Sequence, residues 1–173
     1  MPRCCIPGYA GLISRPVNRV GIGVDVHSFA PGRPLIIGGV RVPHDQGLLG
    51  HSDADVLAHA VADALLGAAA LGDIGKYYPP GEPRCKDMDS MIIVRECAER
   101  VRAAGGRIQN VDAAIVAQVP KLAPHLPRMQ ETLARHLGVA PGQVGLKATT
   151  SEHLGFTGRK EGIVAIAVAS VEI

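Results

Sequence analysis

The chain has no tryptophan and only five other aromatic residues, Tyr9, Tyr77, Tyr78, Phe29 and Phe156. Proteins that hold single-stranded nucleic acid stack bases on aromatic rings, so that class is disfavoured. Charge of one sign is also missing. Eighteen Lys and Arg against sixteen Asp and Glu leave a formal net charge of +2, too little for a strong electrostatic footprint on nucleic acid or anionic membrane. The most apolar stretch, residues 54–71, is interrupted by Asp55, His59 and Asp63, which argues against a membrane span. The four cysteines, at 4, 5, 85 and 97, form neither a C-x-x-C pair nor a disulfide framework, so a reducing cytosol is the expected setting. The sequence carries no G-x-x-x-x-G-K-[ST] and no G-x-G-x-x-G, so phosphate binding by a P-loop or a Rossmann turn is excluded.

What is present is apolar: 47% of 173 residues are hydrophobic, enough for one sizeable core. Residues 1–18 hold Arg3 and Arg15, no acid and no long apolar run. They read as an N-terminal extension, or as a fragment of an organelle-targeting peptide. From residue 19 the chain alternates: Val20, Ile22, Val24 and Val26 on one face, Gly21, Gly23, Asp25 and His27 on the other. Period two predicts a strand. Residues 35–37 and 40–42 flank Gly38-Gly39, a hairpin signal. Ser52 or Asp53 is placed to cap a helix reaching about residue 70, with Leu57, Ala60, Val61, Ala64, Leu65 and Ala68 as its apolar stripe. A second helix is expected from Asp89-Ser90 to Gly105-Gly106, and a third over 127–137. Strands are expected over 110–119, 144–148 and 162–171, the last so continuously apolar that burial of both faces is predicted. The fold class is α/β (α+β): a single domain, a mixed sheet covered by helices.

Four groups of residues suggest chemistry. Asp25 and His27, two apart on a strand, leave the same face, behind two glycines that let something approach. Such a pair is half of a divalent-metal site, or simply a hydrogen-bonded polar strand face. Asp55, His59 and Asp63 recur every four residues and share one helix face, by default a solvated one. His59, with Asp63 beside it as a supporting carboxylate, could instead complete a two-histidine, one-carboxylate site with a coordination position left open. His51-Ser52-Asp53 precedes that helix, where free N–H groups favour phosphate, and Asp73 lies between glycines just after it. Between the last two strands, Thr149, Thr150, Ser151, Glu152, Thr157 and Arg159 offer hydroxyls, a carboxylate and a guanidinium suited to a diphosphate and its Mg²⁺, or else form a polar connecting loop.

Four runs together go further than these spacings. They are Arg19 to Phe29 (RVGIGVDVHSF), Gly47 to Val56 (GLLGHSDADV), Asp63 to Lys76 (DALLGAAALGDIGK), and Lys147 to Arg159 with Glu161-Gly162 behind it. In this order they resemble the 2-C-methyl-D-erythritol 2,4-cyclodiphosphate synthase family of non-mevalonate isoprenoid biosynthesis, over residues 19–172. The resemblance implies a homotrimeric, cytoplasmic bacterial phosphorus–oxygen lyase with sites at subunit interfaces. It would cyclise 4-diphosphocytidyl-2-C-methyl-D-erythritol 2-phosphate and release CMP. By motif position, Asp25, His27 and His59 would hold a zinc-type ion (Zn, or Mn or Co), and Glu152 a Mg or Mn ion on the diphosphate. His51 and Thr150 would stabilise the transition state. Ser52, Asp73 and Gly75 would hold the methylerythritol phosphate. Ala117, Pro120, Lys121 and Leu122 would form the cytidine pocket with Thr149. Val26, Ile74, Tyr78, Glu82 and Ser151 complete the contacts, and Phe156 and Arg159 would border a central cavity able to take an isoprenoid diphosphate.

The chain departs from the family pattern in two places. Tyr78-Pro79-Pro80-Gly81-Glu82 lacks the usual aspartates, and Ser151 and His153 replace the usual Thr and Lys around Glu152. Two other readings use the same residues: a metal-dependent phosphohydrolase of nucleotide diphosphates, and a binding module for isoprenoid diphosphates without turnover.

Overall fold

The computed structural model describes residues 16–79 and 81–173. Cys4-Cys5 and most of the 1–18 extension lie outside the described residues. Val17 and Asn18 already belong to the sheet: Val17 and Ile173 exchange backbone hydrogen bonds of 2.8 and 3.0 Å, and Asn18 opens β1.

Five strands form the main sheet: β1 (Asn18–Pro31), β4 (Gln46–Leu48), β5 (Arg107–Val116), β6 (Val144–Thr149) and β7 (Gly162–Glu172). Their order is β4-β1-β7-β5-β6, with β5 and β6 parallel and every other pair antiparallel. β2 (Leu35–Ile37) and β3 (Val40–Val42) make a separate hairpin. Its turn residues Gly38 and Gly39 have φ of +58° and +69°, the doubly left-handed geometry of a two-residue hairpin loop, which glycine adopts without strain. Three helices, α1 (Val56–Ala68), α2 (Ser90–Ala103) and α3 (Leu126–Leu137), lie on one side of the sheet, and α4 (Gly155–Gly158) is a single turn before β7. The expected fold class holds. β4 and α4 were not expected, because three-residue pairing and a glycine-bounded turn are too short to leave a period in the sequence. No helix among the described residues is long and apolar enough to cross a membrane.

The alternation of β1 is present, but its sense is informative. Val20, Ile22, Val24 and Val26 face outward and are 68, 66, 54 and 49% exposed. The glycine face is the one that packs, and α1 lies directly on it. A Cβ at Gly21 would stand 2.1 Å from the carbonyl oxygen of Ala64, and one at Gly23 would stand 2.0 Å from that of Ala60. Nothing larger than hydrogen fits there. β7 departs from the expectation that both its faces are buried. Ile163, Ala165, Ala167, Ala169 and Val171 are fully buried under α1, whereas Ile166 and Val168 stay partly exposed on the outer face. In the single chain β7 is therefore buried on one face only.

α1 is not capped by Ser52 or Asp53. Its N-cap is Asp55, completely buried, whose carboxylate accepts from the N–H groups of Leu57 and Ala58 and of Gly38 and Gly39 at 2.7–3.1 Å. One side chain satisfies two orphan donors of the helix and fastens it to the β2–β3 turn. The supposed solvated face Asp55–His59–Asp63 is thus interior at its first two positions. Small alanines let α1 sink between the sheet, α2 and the hairpin, so no side of it remains solvated until Asp63.

Candidate active site

The close approach of α1 to β1 carries His59 to the two strand residues. Asp25 Oδ2 lies 3.0 Å from His27 Nε2 and 3.1 Å from His59 Nδ1, and the two imidazole nitrogens are 3.3 Å apart. One ligand atom from each of the three lies within 4.8 Å of the others. Two imidazoles and one carboxylate converging on a point is a donor set for a divalent ion with a coordination position to spare.

Each imidazole is held by its other nitrogen. His27 Nδ1–H donates to the Leu49 carbonyl at 2.6 Å, which leaves Nε2 aimed at the cluster. Leu49 is placed by the β1–β4 pairing, which continues with its own N–H on Ser28 O at 2.9 Å. His59 Nε2 faces Ser90 Oγ at 3.0 Å and Ser52 Oγ at 3.3 Å. The expected support from Asp63 is not there: its carboxylate accepts instead from Ile74 N–H at 2.7 Å and holds the turn after α1. Ser90 was missed, because Asp89-Ser90 reads simply as a helix start.

Burial alone would raise the Asp25 pKa, but hydrogen bonds and charge from His27 and His59 outweigh it and hold the carboxyl far below the usual range. Burial would lower that of His27, and Asp25 outweighs it in the opposite sense, raising it. In metal-free protein the pair is an ionic one. The Asp25 contribution to stability is present above its ordinary value of 3.8 and is lost as pH falls through its depressed folded value. The His27 contribution is complete below 6.5 and is lost as pH rises through its elevated folded value. Chelator-treated protein should therefore gain most from the pair between these two ordinary values, and less above neutrality. Since metal and proton compete for His27, added metal should shift the optimum upward. Thermal melts across pH, with and without chelator, read both effects. An unchanged profile on adding metal would contradict the assignment of His27 as a ligand.

Beside the cluster is a cavity of about 130 Å³ lined in part by His27, His51, Ser52, His59, Ile74 and Tyr78. His51 is exposed at its mouth, and Ser52 is buried against His59 and Ser90. Asp73 caps the turn Ile74–Lys76 through Lys76 N–H at 3.0 Å, so Asp73, Ile74 and Gly75 sit at the far end of α1. Tyr78 is held by its O–H on Glu96 at 2.6 Å, and Glu82 pairs with Arg84 at 2.7 Å.

The other predicted residues gather elsewhere. Ala117, Pro120, Lys121, Leu122, Thr149 and Thr150 line a second cavity of about 370 Å³ where β5 and β6 end. Next to it, Thr150 O–H donates to Glu152 at 2.7 Å, and Glu152 and His153 both have left-handed φ, of +52° and +64°. Two consecutive non-glycine residues in that region are uncommon and mark a loop set by more than its own preferences. Ser151 accepts from Thr157 at 2.8 Å, Phe156 is partly exposed, and Arg159 pairs with Glu161 at 2.7 Å. His27 pairs with Ile163 and Val116 with Val164, so both cavities open at the same end of the sheet. β7 separates them, which at two strand spacings is on the order of 10 Å. The two cavities share no lining residue.

The profile of the YgbB family matches residues 18–172. This chain belongs to the YgbB family. Its relatives include 2-C-methyl-D-erythritol 2,4-cyclodiphosphate synthases of Moorella thermoacetica, 61% identical over 87% of this chain and 92% of that one, and of Cupriavidus necator, 60% identical over 85% and 87%. Solved YgbB relatives include the bifunctional IspDF of Campylobacter jejuni, at TM-score 0.88 and 40% identity. That alignment covers 91% of this chain but only 43% of the two-activity enzyme. Another is IspF of Plasmodium falciparum in complex with CDP, at TM-score 0.79 and 29% identity, covering 91% and 97%.

Proposed function

We propose that this chain converts 4-diphosphocytidyl-2-C-methyl-D-erythritol 2-phosphate into 2-C-methyl-D-erythritol 2,4-cyclodiphosphate and CMP, and so acts as a phosphorus–oxygen lyase of bacterial cytoplasm. The observation that carries this reading is the Asp25–His27–His59 cluster opening onto the His51–Ser52 cavity, in a chain matched by YgbB from residue 18 to 172. An oxygen of the 2-phosphate forms a bond to the β-phosphorus. The bond from that phosphorus to the bridging oxygen breaks, and CMP leaves with the oxygen and its electron pair. The attacking phosphate is already ionised near neutral pH, so no general base is required. That agrees with a site whose polar groups are ligands and donors rather than a nucleophile with its base.

The residues present suit positioning and charge neutralisation. Asp25, His27 and His59 would hold a zinc-type ion, with Mn or Co as alternatives by the same donor set. When bound, that ion supplies positive charge beside the phosphates. Glu152 would hold Mg or Mn on the diphosphate, and His51 and Thr150 would neutralise charge developing at the β-phosphorus. Ser52, Asp73, Ile74, Gly75, Tyr78 and Glu82 would border the methylerythritol phosphate, with Val26 behind the ligands. Ala117, Pro120, Lys121, Leu122 and Thr149 would take the cytidine, flanked by Ser151.

A homotrimer reconciles the two separated cavities, one subunit offering its cytidine pocket to the metal cluster of the next. The exposed sheet face of Val20, Ile22, Val24, Ile166 and Val168 supports it, since a contiguous apolar patch of this kind marks an interface. Phe156 and Arg159 would then border the central space, with room for an isoprenoid diphosphate. Phosphorus NMR of purified protein with the CDP-methylerythritol phosphate, Zn²⁺ and Mg²⁺ tests the reading. CMP with a cyclic diphosphate is expected; CMP with linear phosphates would make it a hydrolase, and binding without turnover a binding module.

A further inference from the structure

With Nδ1 of His59 turned to the ligand cluster, its Nε2 faces a buried polar knot. Ser90, fully buried at the start of α2, places Oγ 3.0 Å from that nitrogen. The same hydroxyl makes its closest contact with Asp53 Oδ1. The other carboxylate oxygen of Asp53 accepts from Ser90 N–H at 3.1 Å, and Asp55 N–H donates to Oδ1 at 3.2 Å. The knot is stitched to its surroundings on both sides: Asp53 N–H donates to Met88 O at 3.0 Å, and Asp87 N–H to His51 O at 2.7 Å.

Counting protons gives this arrangement a direction. A serine hydroxyl has one proton, and an ionised carboxylate can only accept. The Ser90 proton therefore goes to Asp53, and Ser90 Oγ is left to accept. Only a proton on His59 Nε2 can satisfy it from the histidine side, and this leaves the Nδ1 lone pair free. Ser52 Oγ, 3.3 Å from Nε2 and receiving Ala54 N–H at 3.1 Å, is the weaker second acceptor.

We propose that Ser90 and Asp53 are positioning residues of the metal site: the chain His59 Nε2–H to Ser90 Oγ–H to Asp53 fixes the tautomer and ring orientation that present Nδ1 to the ion. The inference rests on the metal reading of Asp25, His27 and His59. It adds that the two histidines are oriented by unrelated elements, His27 by a backbone carbonyl and His59 by a side-chain relay from the start of α2. It also ties the metal site to Ser52, the neighbour of His51, so the ligand and the cavity wall share one hydrogen-bond knot.

The test is a competition titration of Zn²⁺ against a chelating dye, with full-length wild type and Ser90→Ala. Loss of a supporting hydrogen bond to a ligating histidine costs about 10- to 100-fold in affinity, and that loss is expected here. Thermal melts of the metal-free proteins separate it from a general loss of packing. Affinities within twofold of each other would overturn the proposal. A wild type that binds no Zn²⁺ would overturn the metal reading itself, a distinguishable failure. Should Ser90→Ala not fold, nitrogen-15 NMR of zinc-loaded wild type decides. A slowly exchanging proton on His59 Nε2 is expected, and a freely exchanging one, or a proton on Nδ1, would overturn the relay.

Discussion

Gly23→Ala is expected to destabilise the protein by about 3 kcal/mol and to weaken metal binding at the same time. An alanine in place of a strand glycine ordinarily stabilises, by about 0.5–1 kcal/mol, because it restricts the unfolded chain. Here the added carbon would stand 2.0 Å from Ala60 O and 2.7 Å from Ala64 N, backbone atoms of α1 that have no rotamer to yield. The helix must move off the sheet. His59 sits on that helix between these contacts and the N-cap, so any displacement opens its 3.1 Å approach to Asp25. Denaturant unfolding and a Zn²⁺ titration on the same variant read the two effects. An alanine variant as stable as wild type, with unchanged affinity, would mean that the β1–α1 contact does not set the site.

Asp25→Ala is expected to lower turnover by roughly 10³-fold or more, since an ion's charge stabilisation is worth several kcal/mol and each 1.36 kcal/mol is tenfold. Asp25 is the one anion of the cluster, and both imidazoles turn toward its Oδ2. Without it two nitrogens remain, and a neutral pair binds a divalent ion far less well. Wild type stripped by a chelator should lose activity to a similar extent and regain it on adding Zn²⁺, Mn²⁺ or Co²⁺. The variant should regain little. Restoration of the variant to wild-type rate by micromolar metal would remove Asp25 from the ligand set.

Much of this is legible in the sequence. The period-two run of β1, the glycine pair of the hairpin and the limits of α2 and α3 follow from local chemistry, and the structure has them. Asp25, His27 and His59 were assembled from a strand spacing and a helix spacing, and they do converge. The misreadings share a cause: local pattern does not say what lies opposite. The two faces of β1 follow from its alternation, but not which of them packs: it is the glycine face, because α1 needs the missing side chains. Asp55 looked solvated because it is charged, yet four backbone N–H groups from two elements satisfy it inside the fold. Asp63, expected beside His59, holds Ile74 N–H instead, while Ser90, the first residue of α2 as expected, also faces His59 Nε2. The support for His59 comes from a residue 31 positions away, beyond the reach of helical spacing.

The central claim is that the substrate's own phosphate, and not water, attacks the β-phosphorus. Turnover in H₂¹⁸O, with CMP and the phosphorylated product analysed by mass spectrometry, tests it most directly. Intramolecular displacement predicts no solvent oxygen in either product and a cyclic diphosphate equal in amount to the CMP. One ¹⁸O per turnover, in CMP or in a linear phosphate, would show that water is the nucleophile and would contradict the account.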